Sequence, residues 1–144
     1  MVSIKTIMVP VDGSEPSTRA LDFALQIAGP LGATLDLVTV MDLGQLDFFD
    51  GLEQTLDKLD DWEARLSRDV LQPAIERAAA AGAEGHPTVL RGATYKVLLG
   101  HIESTCPSMV VMGRTERTAV NRILHGSVSR RLSTASSVPV VLVG

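Results

Sequence analysis

The chain has one cysteine, Cys106, so no intrachain disulfide can form. Cys106 is followed by Pro107 and belongs to no CxxC pair, which leaves it a packing residue. Aromatic residues are also scarce, at 3% of the chain. The core must therefore be built from Val, Leu, Ile, Ala and Met, a composition that suits a parallel sheet covered by helices. No apolar run reaches the roughly 18 residues of a membrane span. The opening Met1-Val2-Ser3-Ile4-Lys5 runs straight into a strand-like segment with no leader pattern. A cytoplasmic location is the expectation.

Several chemistries lack their residues. There is no Gly-x-x-x-x-Gly-Lys-Ser/Thr loop, no Gly-x-Gly-x-x-Gly and no Gly-x-Ser-x-Gly elbow. His86, His101 and His125 have no metal-ligand spacing and read as solvated or packing side chains. A receiver-type phosphoacceptor needs an Asp at the end of its third strand, where this chain has Leu90-Arg91-Gly92. No nucleophile with its base can be assigned, so a catalyst is not expected.

What is present fits one domain over residues 1–144, long enough to bury a core. Apolar residues make up 45% and charged residues 21%, which is ordinary for a globular chain. The net charge of −4 is unevenly spread. Residues 1–64 hold three Lys/Arg against twelve Asp/Glu, and residues 65–144 hold ten against five. The basic half suits an anionic ligand or is a solvated surface. Basic-aromatic interleaving is missing, so nucleic acid is not an expected partner. The acidic stretch at residues 42–61, with Phe48 and Phe49, is either a flap or partner surface or a solvated face.

Short β-branched runs predict five strands, at residues 7–11, 34–40, 87–90, 109–112 and 138–143. Helical patterns fall between them. Residues 16–28 repeat apolar positions at helical spacing, with Ser14 as N-cap and Gly29-Pro30 expected to fray or kink the end. A long stretch at 52–81 contains Pro73 and should kink or break near Gln72. Residues 94–106 and 126–135 supply two more helices. The alternation predicts an α/β fold with an open parallel sheet and helices on both faces.

Two loops carry the functional signal. Val9-Pro10-Val11-Asp12-Gly13-Ser14 follows the first strand, and Met112-Gly113-Arg114-Thr115-Glu116 follows the fourth, with Gly126-Ser127 opening the last helix. A strand, a Gly/Ser loop and a helix N-terminus form a natural anion site. Asp12 could bind a ribose hydroxyl or help hold Mg²⁺ beside phosphates, or it could serve as a turn and capping residue. Gly113 would allow close approach of a ligand to the backbone. Gly126-Ser127, with Ser129, either binds phosphate or simply starts a helix. If strands one and four are neighbours, both loops meet at the point where the winding reverses.

Together these segments resemble the universal stress protein family along the whole chain. Val9 to Ser14 resembles its opening strand and loop, and residues 35–40 its second strand. Val110-Val111-Met112-Gly113, Arg117-Thr118, Arg122-Ile123-Leu124 and Gly126-Ser127-Val128 follow in register, and Val138-Pro139-Val140-Val141-Leu142-Val143 resembles its closing strand. The resemblance implies a five-stranded sheet of order 3-2-1-4-5, the adenine-nucleotide alpha-hydrolase-like architecture, and a homodimer through the last strand. It also implies an adenine nucleotide, ATP or AMP, bound with the motif Gly-x-x-Gly-x(9)-Gly-Ser/Thr. On this pattern Pro10, Val11 and Asp12 line the site, Asp12 meets ribose or Mg²⁺, and Val40 contacts adenine through its backbone. Gly113, Gly126, Ser127 and either Val128 or Ser129 surround the phosphates, and Met112 and Arg114 complete the cofactor-binding set.

Three positions depart from the pattern. Glu116 replaces the second glycine, Ser108 stands where Asp is common before strand four, and Thr39 stands where His is common before Val40. A charge about 5 Å from a phosphate at an effective dielectric of ~20 costs roughly 3 kcal/mol. A helix N-terminus returns only about 0.3–1 kcal/mol. Facing the ligand, Glu116 would repel it; paired with Arg114 or Arg117, it would spare the site. The expected function is a stress-linked regulator that binds an adenine nucleotide. The alternatives are a dimeric interaction module without nucleotide and, more remotely, an adenylyl-chemistry enzyme, whose Ser-Gly-Gly-x-Asp-Ser loop is absent.

Overall fold

The computed structural model describes residues 3–45, 52–114 and 126–144. Its strands are β1 (Thr6–Pro10), β2 (Thr34–Asp42), β3 (Gly85–Gly92), β4 (Met109–Gly113) and β5 (Val140–Val143). They form one parallel sheet in the order β3-β2-β1-β4-β5. The expected α/β architecture and strand order are those observed. Glu116, Arg117, Thr118, Arg122, Ile123, Leu124, His125, Phe48 and Phe49 lie outside the described residues.

The helices divide between the two faces as right-handed crossovers require. On one face, α1 (Glu15–Leu31) and α3 (Gln72–Ala80) cover Ile7, Val9, Leu35, Leu37 and Val111 with Ala20, Leu21, Ala24, Ala74 and Ala78. On the other, α4 (Thr94–Thr105) and α5 (Gly126–Ala135) cover Met8, Val38, Val40, Val110 and Met112 with Leu98, Ile102, Val128 and Leu132. The small alanines let α1 and α3 sit close to the sheet, and the scarcity of aromatics follows from this tight layering.

The helix ends differ from expectation. α1 runs through Gly29-Pro30 to Leu31, where Gly32 adopts a left-handed conformation (φ 64°) and its N–H closes on the Ala28 and Gly29 carbonyls. Pro30 is tolerated because it falls in the last turn, and Gly32 supplies the stop. The helical stretch after residue 52 is interrupted as Pro73 foretells, but it does not break. Between α2 (Leu52–Leu66) and α3 lies a five-residue π-helical turn, Ser67–Leu71, with Pro73 in the first turn of α3. The Gln72 N–H reaches back five residues to the Ser67 carbonyl. Widening the turn accommodates a residue that cannot donate a backbone hydrogen bond. β5 begins at Val140 rather than at residue 138, because Val138 and Pro139 form the turn that enters the strand: the Ser136 hydroxyl bonds the Val138 carbonyl and N–H.

Candidate functional site

The carboxyl ends of β1 and β4 lie side by side at the point where the sheet reverses its winding. Their ladder pairs Ile7 with Met109 and Met8 with Val110 and goes no further. Pro10 has no N–H to extend it. The strand order makes this the crevice position, where open α/β sheets take their ligands.

The β1 loop is built from short-range hydrogen bonds. The Ser14 N–H donates to Asp12 Oδ1 at 2.9 Å, which closes a turn around Gly13 (φ 81°). Ser14 then caps α1: its hydroxyl accepts from the Ser17 N–H, and its carbonyl accepts from the Ser17 and Thr18 hydroxyls at 3.0 Å. The Asp12 N–H bonds the Ser17 hydroxyl. One oxygen of Asp12 is thus consumed by the turn. The other, Oδ2, is buried and has no hydrogen-bond partner among the described residues. A carboxylate oxygen held away from water without a donor is costly. Among the described residues nothing supplies the hydroxyl or cation that would satisfy it.

The expected site residues divide into side chains and backbone. Pro10 and Val11 are buried, and the Val11 N–H donates to the Val38 carbonyl at 2.8 Å. Val40, Met112 and Val128 point into the core between the sheet and α4 and α5. Only their backbone atoms are left for a ligand. Strand alternation sends the Val40 N–H and C=O to the same side as those of Val38, toward β1, which has already ended at Pro10. That backbone edge therefore faces the crevice. Ser127 is exposed at the start of α5, while Ser129 is buried. Arg114 is exposed, with its N–H donating to the Val143 carbonyl. Gly126 opens α5.

Gly113 has a packing role that the sequence did not disclose. A Cβ there would meet the carbonyl carbon and oxygen of Pro16 at 2.7 Å. Its missing side chain admits the first turn of α1 against β4, and its φ is not positive. Glycine at this position is required by the helix whether or not a ligand also uses the space.

A polar cluster outside the crevice was also missed. Asp36, in the middle of β2, accepts from the Thr88 hydroxyl at 2.7 Å and pairs with His101 Nε2 at 2.6 Å. It joins β2, β3 and α4. His101 is therefore a bonded packing residue rather than a solvated one. Asp36 alternates with buried Leu35 and Leu37, so in the sequence it looks solvent-facing; its partners lie 52 and 65 positions away.

Comparison with known proteins agrees with this fold. A model of the universal stress protein family matches residues 3–144. Universal stress protein Rv1636 of Mycobacterium tuberculosis is 30% identical over 151 residues, covering 99% of this chain and 98% of that protein. Among solved structures, universal stress protein UspA from Lactobacillus plantarum superimposes with a TM-score of 0.82 at 20% identity, over the whole of both chains. A universal stress protein in complex with cAMP superimposes with a TM-score of 0.73 at 26% identity, over 99% of each.

Proposed function

The chain belongs to the universal stress protein family, and from that premise we propose that it binds an adenine nucleotide, ATP or AMP, in the crevice between β1 and β4 and acts as a stress-linked regulator rather than a catalyst. The observation that carries this reading is the orphaned Oδ2 of Asp12. A ribose hydroxyl donating to it would satisfy a buried acceptor that the described residues leave open. The similar protein solved with cAMP supports an adenine nucleotide as the ligand class.

In the bound state the adenine edge lies against the Val40 backbone, and the phosphates meet Gly126, Ser127 and the N-terminus of α5. Mg²⁺ fits only as a shared ion. No group of three or more His, Cys, Asp or Glu able to hold a metal occurs among the described residues. Asp12 would supply one carboxylate oxygen and the nucleotide the rest. The domain acts as a homodimer through the β5 edge, and its place is the cytoplasm; among the described residues no helix is long and apolar enough to cross a membrane.

Glu116 in place of the second motif glycine favours a ligand with fewer phosphates, so AMP binds more tightly than ATP. Calorimetric titration with ATP, ADP and AMP tests this. Heat with AMP, and a gain in ATP affinity in Glu116→Gly, is the expected result. No heat and no thermal shift with any of the three would leave the second reading, a nucleotide-free interaction module, in its place.

A further inference from the structure

The two edges of the sheet are β3 and β5. Pro87 lies within β3, and Pro139 immediately precedes β5. The two prolines turn their missing N–H in opposite directions. At β5 the Pro139 carbonyl accepts from the Val110 N–H, and the Val143 carbonyl accepts from the Arg114 N–H, both at 2.8 Å. Residues 139, 141 and 143 therefore turn their backbone groups toward β4, and Val140 and Leu142 turn theirs outward. Pro139 lacks a donor only on the inner side. At β3 the Glu84 carbonyl accepts from the Leu35 N–H at 2.8 Å. Leu35 lies opposite Gly85, and Leu37 lies opposite Pro87. Alternation then sends the backbone groups of residues 84, 86, 88 and 90 to β2, and those of Gly85, Pro87, Val89 and Arg91 outward. The missing donor of Pro87 thus falls in the middle of the outer edge. Pro87 is exposed, and among the described residues no strand pairs beyond it. Arg91, further along the same edge, is exposed and ion-paired with Glu63 at 3.1 Å.

We propose that Pro87 closes the β3 edge to strand addition by a second copy of the chain, so that the sheet keeps one edge open to pairing, β5. An added strand draws on each outward donor in turn, and Pro87 interrupts that row between Gly85 and Val89. The closure matters because β3 spans eight residues, long enough to template a partner strand, whereas β5 spans four. A sheet open at both edges would extend from copy to copy without limit. Proline is tolerated at this position because the inner ladder to β2 draws on the N–H groups of His86 and Thr88 instead. The charge of Arg91 on the same edge acts in the same sense. The closure of β3 does not depend on the β5 dimer: a monomeric wild type serves equally as the reference below.

Amide hydrogen exchange of the full chain tests the alternation. His86, Thr88 and Leu90 should exchange about tenfold or more slowly than Gly85, Val89 and Arg91. Slow exchange at Val89 and Arg91 in the wild type would show an occupied edge and overturn the proposal. Sedimentation over a concentration series tests the closure. Pro87→Thr restores an outward N–H without adding apolar surface. It should shift to larger species as concentration rises, with new protection at Val89 and Arg91. His86→Thr places the same residue where the backbone faces β2, and should keep the wild-type size. Should Pro87→Thr not fold, Pro87→Ala restores the same N–H and is read in the same way. A folded Pro87 variant of wild-type size at every concentration, or equal association of His86→Thr, would overturn the proposal.

Discussion

Asp12 puts its two carboxylate oxygens to different uses. Its Oδ1 closes the turn that lets Ser14 cap α1, and its Oδ2 is buried without a partner among the described residues. The turn was legible in Asp12-Gly13-Ser14, because each residue has a local reason to be there. The division of labour between the two oxygens was not, since it depends on what surrounds the carboxylate. Gly113 is a similar case. Its place in the glycine motif was legible, but the Pro16 carbonyl that fills its missing Cβ is 97 residues away in sequence. Gly113→Ala should destabilise the protein by about 1–3 kcal/mol through overpacking. Chemical denaturation would show it as a lower midpoint with unchanged slope. At Asp36, truncation to Ala strands the Thr88 hydroxyl and the His101 ring on a half-buried surface. A loss of about 1–3 kcal/mol is expected, measured in the same way.

At the scale of elements, the chain is read most easily where its pattern is local. The strands are short β-branched runs, and their centres lie where those runs place them. Their ends do not, because ladder pairing with neighbours extends β2 to Asp42 and β3 to Gly85 and Gly92. Helix stops depend on backbone conformation. Gly29-Pro30 is the more visible signal, yet Gly32 ends α1. Gly32→Ala forces a side chain into φ 64° and should cost about 1 kcal/mol, read as a lower melting temperature. The π turn before α3 was legible as a disturbance near Gln72, not as a widened turn. α1 and α3 are clamped by a bidentate pair in which Arg77 donates to Asp22 at 2.5 and 2.7 Å. The hydrogen bonds from Arg77 hold the Asp22 carboxyl below its ordinary range. A depressed carboxylate contributes stability above its unfolded value and loses it on acidification. The contribution should therefore be full at neutral pH and disappear as pH falls below about 4. Arg77→Ala should flatten that part of the stability–pH curve. Both groups are half exposed, so the effect is small.

For the whole molecule, the order β3-β2-β1-β4-β5 brings the carboxyl ends of β1 and β4 together although about 100 residues separate them. Periodicity alone predicted the layers; the strand order came from the family resemblance. β5 stands at the sheet edge with half-buried residues throughout, which fits pairing with a second copy. Sedimentation should return a dimer, and a monomer would remove that assembly. The central claim is that Asp12 completes an adenine-nucleotide site. Calorimetric titration of AMP into the wild-type chain and into Asp12→Ala tests it most directly. Saturable heat from the wild type, with affinity reduced about 10- to 100-fold in a folded Asp12→Ala, is the predicted result. Equal affinities in the two proteins, or no heat from either, would contradict it.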